Sequence, residues 1–388
     1  MELHAEAVMP PGFSCAGTNC GLKNEGKDLA VFYSETAASA AAVFTRNKFP
    51  GAPVILGRKI IKKGVLRAIV ANSKISNVGT GQTGLDNAAR MAATAAAEFD
   101  IPADQVIMSS TGVIARQLEI EKIEAGLQGI SSKLIQDPLA ATAGIMTTDT
   151  YPKALSMNVG DAVLTIVGKG AGMIEPNMAT MLVYIFTDAE VAAPALDHAL
   201  RQAVAVSFNM LSVDTDSSTS DTCVVMANGL AGPVDLKLFQ KALTYACTEM
   251  AKLLARDAEG ATKLLISKVK GAADDKQAIQ IAKSLVNSPL IKTMAYGADP
   301  NIGRVLMAIG KCVDCDIDPS RIVVRINDTL VYQDLARVDF DEDAVRGLLG
   351  GEQVMIQADL GLGSGRATAY GCDLTEGYIE ENAAYYSS

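Results

Sequence analysis

From Leu29 to Leu374, short apolar runs of strand length alternate with stretches of helical spacing. The runs include LAVFYS (29–34), LRAIVANS (66–73), QVIMSS (105–110), AVLTIVG (162–168) and MLVYIF (181–186). Between and after them, GLDNAARMAATAAAEF (84–99), ALDHALRQAVAVSFNML (195–211) and 235–260 repeat apolar residues at helical spacing. Alternation of this kind restricts the chain to the α/β class. Asp235 is placed to cap the third helix and Gly260 to stop it. The last hundred residues predict a smaller α/β unit: a helix near 301–310, then strands at 321–327, 353–360 and 367–374. No Gly/Ser/Pro-rich linker and no internal repeat separates the parts, so one interleaved body is expected.

Aromatic residues make up only 5% of the 388 and tryptophan is absent, so the core must be built from Ala, Val, Ile, Leu and Met. The net charge of −10 opposes a phosphate backbone, and the short basic run at Arg58, Lys59, Lys62 and Lys63 reads as a solvated face. Nucleic acid is therefore not an expected partner. No window reaches the roughly 18 apolar residues of a membrane span. The first residues lack the basic and apolar regions of a signal peptide, so the expected address is the cytoplasm.

Seven scattered cysteines do not suggest a disulfide framework. Cys312 and Cys315 form a CxxC, but a structural zinc needs two more ligands at comparable spacing, and no metal is expected. The glycines of GLGSGR (361–366) lead into a strand-like run, not a helix, so they predict a hairpin turn and not a dinucleotide fingerprint. GKGAG (168–172) lacks the ending of a phosphate loop. Only two histidines occur, His4 and His198, so a nucleophile activated by histidine is poorly supplied.

One stretch offers another route. In GKGAGMIEPNMATMLVYIFTDA (168–189), a Gly/Pro/Asn turn runs into an apolar strand with Thr180 at the seam. If the bond from Ala179 to Thr180 is cut, the new α-amine lies beside the threonine hydroxyl. Its reference pKa of about 7.7–8.0 lets it take the hydroxyl proton at neutral pH. The hydroxyl can itself make the cut, by attacking the Ala179 carbonyl to give an ester that water opens.

GAGMIEPNMATML resembles the autoprocessing signature of the ornithine acetyltransferase family, the threonine-nucleophile N-acyltransferases of arginine biosynthesis. The likeness runs through AAVFTRNKFPGAPV (41–54), SSTGVIAR (109–116), IMTTDTYPK (145–153), VDTDSSTSDT (213–222), DAEGATKL (257–264), VNSPLIKTMAYGADPNIGR (286–304) and YGCDLTEGYI (370–379). It implies a layered α-β-β-α sandwich shared with DmpA-like proteins. It also implies self-cleavage into an α chain (1–179) and a β chain (180–388), associating as an α2β2 heterotetramer. Thr180 would be the nucleophile, and Thr111 and Gly112 the oxyanion hole. Thr147, Lys169, Glu259, Asn382 and a terminal Ser388 or Ser387 would contact substrate. The implied reaction moves an acetyl group from N-acetylornithine to glutamate, releasing ornithine and N-acetylglutamate. No cofactor is implied, though some members also use acetyl-CoA as a co-substrate.

The chain departs from the pattern at several points. NSKISNVGTG (72–81) stands where the family usually resembles NSGNANACTG, Glu175 where it often has Ala, and Ile302 where it has an aromatic. The tail ENAAYYSS is one Tyr longer. These departures support an alternative: a transferase or amidohydrolase of the same family acting on a different amine in a specialised pathway.

Overall fold

The computed structural model describes residues 2–175 and 181–383. They fold as two compact units, one of 1–205 and 216–250, the other of 206–215 and 251–388. The chain passes from the first to the second, back, and out again, so neither unit is one continuous piece.

The first unit is organised on one sheet. Its strands are β1 (Phe13–Thr18), β2 (Leu29–Phe44), β3 (Val65–Asn72), β4 (Val106–Ser110), β5 (Lys153–Val159), β6 (Ala162–Lys169), β7 (Leu182–Glu190) and β8 (Thr222–Pro233). They lie in the order β4-β3-β2-β8-β7-β6-β5, with β1 paired to β2. Two pairs are parallel, β3 with β4 and β7 with β8. Each needs a crossover, and each takes a helix, Gly81–Glu98 and Ala193–Val206 respectively. Both faces of the sheet are buried. Phe32 and Ile69 fill one face, while Val31, Ala68 and Val70 fill the other, following the period of two along each strand. Several of the scarce aromatics gather on the first face, where Phe32 lies 5.2 Å from Phe186 and 5.3 Å from Tyr184. On the other, Met91 and Ala95 of the helix Gly81–Glu98 pack where no large ring is needed.

The second unit carries β9 (Leu264–Ala272), β10 (Val323–Ile326), β11 (Thr329–Gln333), β12 (Ala336–Arg337), β13 (Gln353–Asp359) and β14 (Gly365–Cys372), in the order β12-β11-β10-β13-β9-β14. The α/β class with two sheets is thus realised.

Three expectations need correction. Gly260 does not stop the third helix, which ends at Arg256. GLGSGR does not close a hairpin, because β13 and β14 each pair with β9 and not with each other. The helix predicted over 195–211 ends at Val206, since Ser207 leaves helical geometry with φ −118° and ψ −87° before a short 3-10 turn. The Asp235 cap is present, its carboxylate accepting from the Leu238 N–H at 2.7 Å.

Candidate active site

In the first unit the predicted oxyanion residues, Thr111 and Gly112, follow the C-terminal end of β4, beside its parallel neighbour β3. Asn72 of β3 is the partner of Ser110 of β4. Their side chains are joined at 2.6 Å, and the Thr111 N–H donates to the Asn72 carbonyl at 3.0 Å. The two loops stay paired beyond the sheet. The Val113 N–H donates to the Lys74 carbonyl, and the Ser76 N–H to the Val113 carbonyl. Gly112 cannot be another residue here. Its φ is +123°, and a Cβ would lie 2.3 Å from the Lys74 carbonyl oxygen. Lys74 itself holds a φ of +77°, a conformation uncommon outside glycine.

Lys169, the last residue of β6, is buried, and its Nζ donates to the Thr111 hydroxyl at 2.6 Å. Behind it stands Asp149, which the sequence reading overlooked. One carboxylate oxygen accepts from the Gly170 N–H at 2.7 Å and from the Lys153 ammonium at 2.8 Å. The other accepts from the N–H of Thr147 at 3.1 Å. The side chains of Asp149 and Lys153 are fully buried. Burial alone would push the Asp149 carboxyl up. Lys153, Lys169 and the Gly170 N–H outweigh it and hold the group below the usual carboxylate range. Thr111, Thr147 and Lys169 are therefore brought together, with Asp149 as the tie.

Ala179 and Thr180 lie in 176–180, outside the described residues. The chain on either side is anchored. The Glu175 N–H donates to the Asp216 carbonyl at 2.9 Å, and the Met181 N–H to Asp221 Oδ1 at 2.9 Å. Asp221 was also missed. It is buried, and among the described residues its Oδ2 accepts no hydrogen bond. The nearby Thr45 hydroxyl donates instead to the Ser218 carbonyl. Burial pushes the Asp221 carboxyl well above its ordinary range, against the opposing pull of the Met181 N–H and Lys169.

The second unit holds its own predicted pair. Asn382 donates through Nδ2 to Glu259 at 2.8 Å and to the Tyr378 carbonyl at 2.9 Å. Gly260 makes this approach possible. Its φ is +67°, and a Cβ would lie 2.3 Å from the Tyr378 nitrogen. Ser387 and Ser388 lie outside the described residues. His198 is exposed on its helix, and His4 pairs with Asn158. Among the described residues no group of three or more His, Cys, Asp or Glu is placed to hold a metal, and no helix is long and apolar enough to cross a membrane.

A glycine-bearing loop beside a buried lysine–hydroxyl pair is suited to stabilising an oxyanion, which is the work of an acyltransferase. Sequence comparison gives the family: the model of the ArgJ family matches residues 14–387, and the chain belongs to that family. It is 44% identical over 380 residues to "Arginine biosynthesis bifunctional protein ArgJ 2" of Clostridium acetobutylicum, covering 97% of this chain and 98% of that protein. It is 43% identical over 383 residues to "Glutamate N-acetyltransferase Oat2" of Streptomyces clavuligerus, covering 97% and 98%. A crystal structure of "Arginine biosynthesis bifunctional protein argJ" from Bacillus halodurans matches 51% of this chain and 96% of that one, at 39% identity and a TM-score of 0.49. The acyltransferase class expected from the resemblance is thereby met.

Proposed function

We propose that the chain cuts itself between Ala179 and Thr180 and then transfers an acetyl group from N-acetylornithine to glutamate through an acyl-Thr180 ester. Cleavage begins when the Thr180 hydroxyl adds to the Ala179 carbonyl and the C–N bond breaks, leaving an ester and a free α-amine. Water hydrolyses the ester and releases the Ala179 carboxylate. In the transfer, the α-amine takes the hydroxyl proton as Thr180 Oγ adds to the acetyl carbonyl. The negative charge gathers on the carbonyl oxygen, where Thr111 and Gly112 would receive it. The C–N bond breaks, the proton goes to the leaving nitrogen, and ornithine departs. The α-amine of glutamate then attacks the ester and leaves as N-acetylglutamate. Thr147, Glu259, Asn382 and Ser388 are the proposed substrate contacts. Glu259 suits the δ-ammonium because a buried cation needs a carboxylate partner.

The observation that supports this reading is the buried contact between Lys169 and Thr111, next to a loop that admits only glycine at 112. We further propose acetyl-CoA as a second acyl donor, a cytoplasmic setting, and an assembly of two α and two β chains. The test is intact-mass analysis before and after incubation with N-acetylornithine. Two chains are expected, the second beginning Thr-Met-Leu, and only that one gains an acetyl group. A single uncut chain that still transfers acetyl groups would overturn the proposal, as would activity in Thr180→Ala.

A further inference from the structure

Among the residues expected to contact substrate, Lys169 stands apart because it is buried and its Nζ is already committed to a neighbouring hydroxyl. Resting on the acyl-transfer reading above, we infer that Lys169 is a positioning residue: it orients the Thr111 hydroxyl as an oxyanion donor and does not serve to read the substrate carboxylate.

The argument begins with the donor inventory. A lysine ammonium has three N–H donors and no acceptor, whereas a hydroxyl has one proton and two lone pairs. At 2.6 Å the direction of the bond is therefore fixed: Lys169 donates and Thr111 Oγ1 accepts. The threonine keeps its single proton for another acceptor. A hydroxyl that accepts from a cation is also polarised into a stronger donor. The Thr111 N–H is already spent on the Asn72 carbonyl, so the hydroxyl is the group on this residue left to meet developing charge.

The surroundings hold Lys169 in this role. Asp149, held ionised, is close enough for the Lys169 charge to act on its carboxylate. Asp149 binds the N–H of Gly170, the next residue, and so fixes the end of β6 from which the lysine projects. Lys153 in turn neutralises Asp149. The chain Lys153–Asp149–Lys169–Thr111 thus ends on a hydroxyl whose proton direction is set before substrate arrives. Such preorganisation is what makes an oxyanion donor effective.

Two acyl donors separate this role from substrate binding. N-acetylornithine carries a carboxylate, and p-nitrophenyl acetate carries neither carboxylate nor ammonium. Acylation by both would be followed by mass in the wild type, Lys169→Met, Thr111→Val and the double variant. We expect Lys169→Met to slow acylation by about ten- to hundredfold with either donor, with KM nearly unchanged, and Thr111→Val to do about the same or more. The double variant should be no slower than Thr111→Val alone, because the lysine acts through the hydroxyl. A raised KM for N-acetylornithine with unchanged p-nitrophenyl acetate acylation would overturn the inference, as would losses that multiply. Lys169→Gln, which keeps a neutral donor, replaces the methionine variant if the latter does not fold, with the same expectations. An uncut Lys169→Met chain supports the inference if Thr111→Val is also uncut, and opposes it if Thr111→Val is processed. Wild type acylated by p-nitrophenyl acetate alone would remove the proposed substrate and leave this test intact. Acylation by neither donor would overturn both.

Discussion

Two buried carboxyls a short chain distance from the proposed chemistry have opposite proton affinities. Asp149, with two lysines acting on it, is held ionised, whereas Asp221 is raised by burial. The consequences differ in sign. For Asp221 the folded state keeps a proton that the unfolded chain has lost. Its contribution to stability is therefore full below the unfolded carboxylate pKa of about 3.9 and declines as pH rises through the folded value. Asp221→Asn removes that decline. The variant should melt at or above the wild-type temperature at pH 7, with the difference shrinking towards pH 4 in a series of melting curves. Asp149 behaves oppositely, stabilising at neutral pH and losing that effect as pH falls below the usual carboxylate range. Asp149→Asn would leave Lys153 buried with a neutral partner. We expect a loss of about 3–5 kcal/mol at pH 7, measured as a fall in the urea midpoint. Neither role was legible in the sequence. Asp149 lies in IMTTDTYPK and Asp221 in VDTDSSTSDT, and nothing local distinguishes a buried carboxylate from a solvated one. Thr111, Gly112, Thr147 and Lys169 were reached through family resemblance; the Lys169–Thr111 contact joins residues 58 apart and is a tertiary fact.

Elements whose apolar residues form one unbroken run were the legible ones. β2, β3, β4, β6 and β7 begin within a residue or so of where the runs begin, because a strand buried on both faces reads as continuous apolar sequence. β8 and β9 were missed. TCVVMANGLAGP is broken by Asn and two Gly, and LLISKVKGA alternates with lysines, so neither stands out without its neighbours. The closing connection of GLGSGR was misjudged for the same reason: which strand lies between β13 and β14 is decided by a partner about ninety residues earlier in the chain. At this scale Gly260 carries the most specific consequence. It lets the helix Glu376–Ala383 meet the loop that bears Glu259, and Thr375 locks the approach by donating to the Gly260 carbonyl at 2.6 Å. Gly260→Ala should push that helix away and separate Asn382 from Glu259. The expected result is a raised KM for N-acetylornithine with cleavage at 180 retained, read from initial rates and a denaturing gel.

The first unit's sheet spans the proposed cleavage point, which determines what cleavage can do to the whole molecule. β1 to β6 come from before residue 180, and β7 and β8 from after it. β7 sits between β6 and β8, with Lys169 opposite Leu182, and β8 pairs with β2 from Ser39–Ala227 to Phe44–Thr222. The segment from 170 to 181 therefore joins two strand ends that are already hydrogen-bonded neighbours. Cutting it removes a connection and no strand pairing. The two chains would remain parts of one sheet, each strand interface buried on both faces, and separating them would expose β2, β6, β7 and β8 along their edges. We therefore expect the cut protein to elute as one species under native conditions and to give two bands only after denaturation. Residues 180–388 expressed alone should not recover the sheet, because β7 and β8 would lack β6 and β2 as partners; supplying 1–179 in the same cell should restore a soluble complex. Native elution of a free 1–179 fragment from fully processed protein would contradict this, since it requires breaking the β6–β7 and β2–β8 ladders without denaturant.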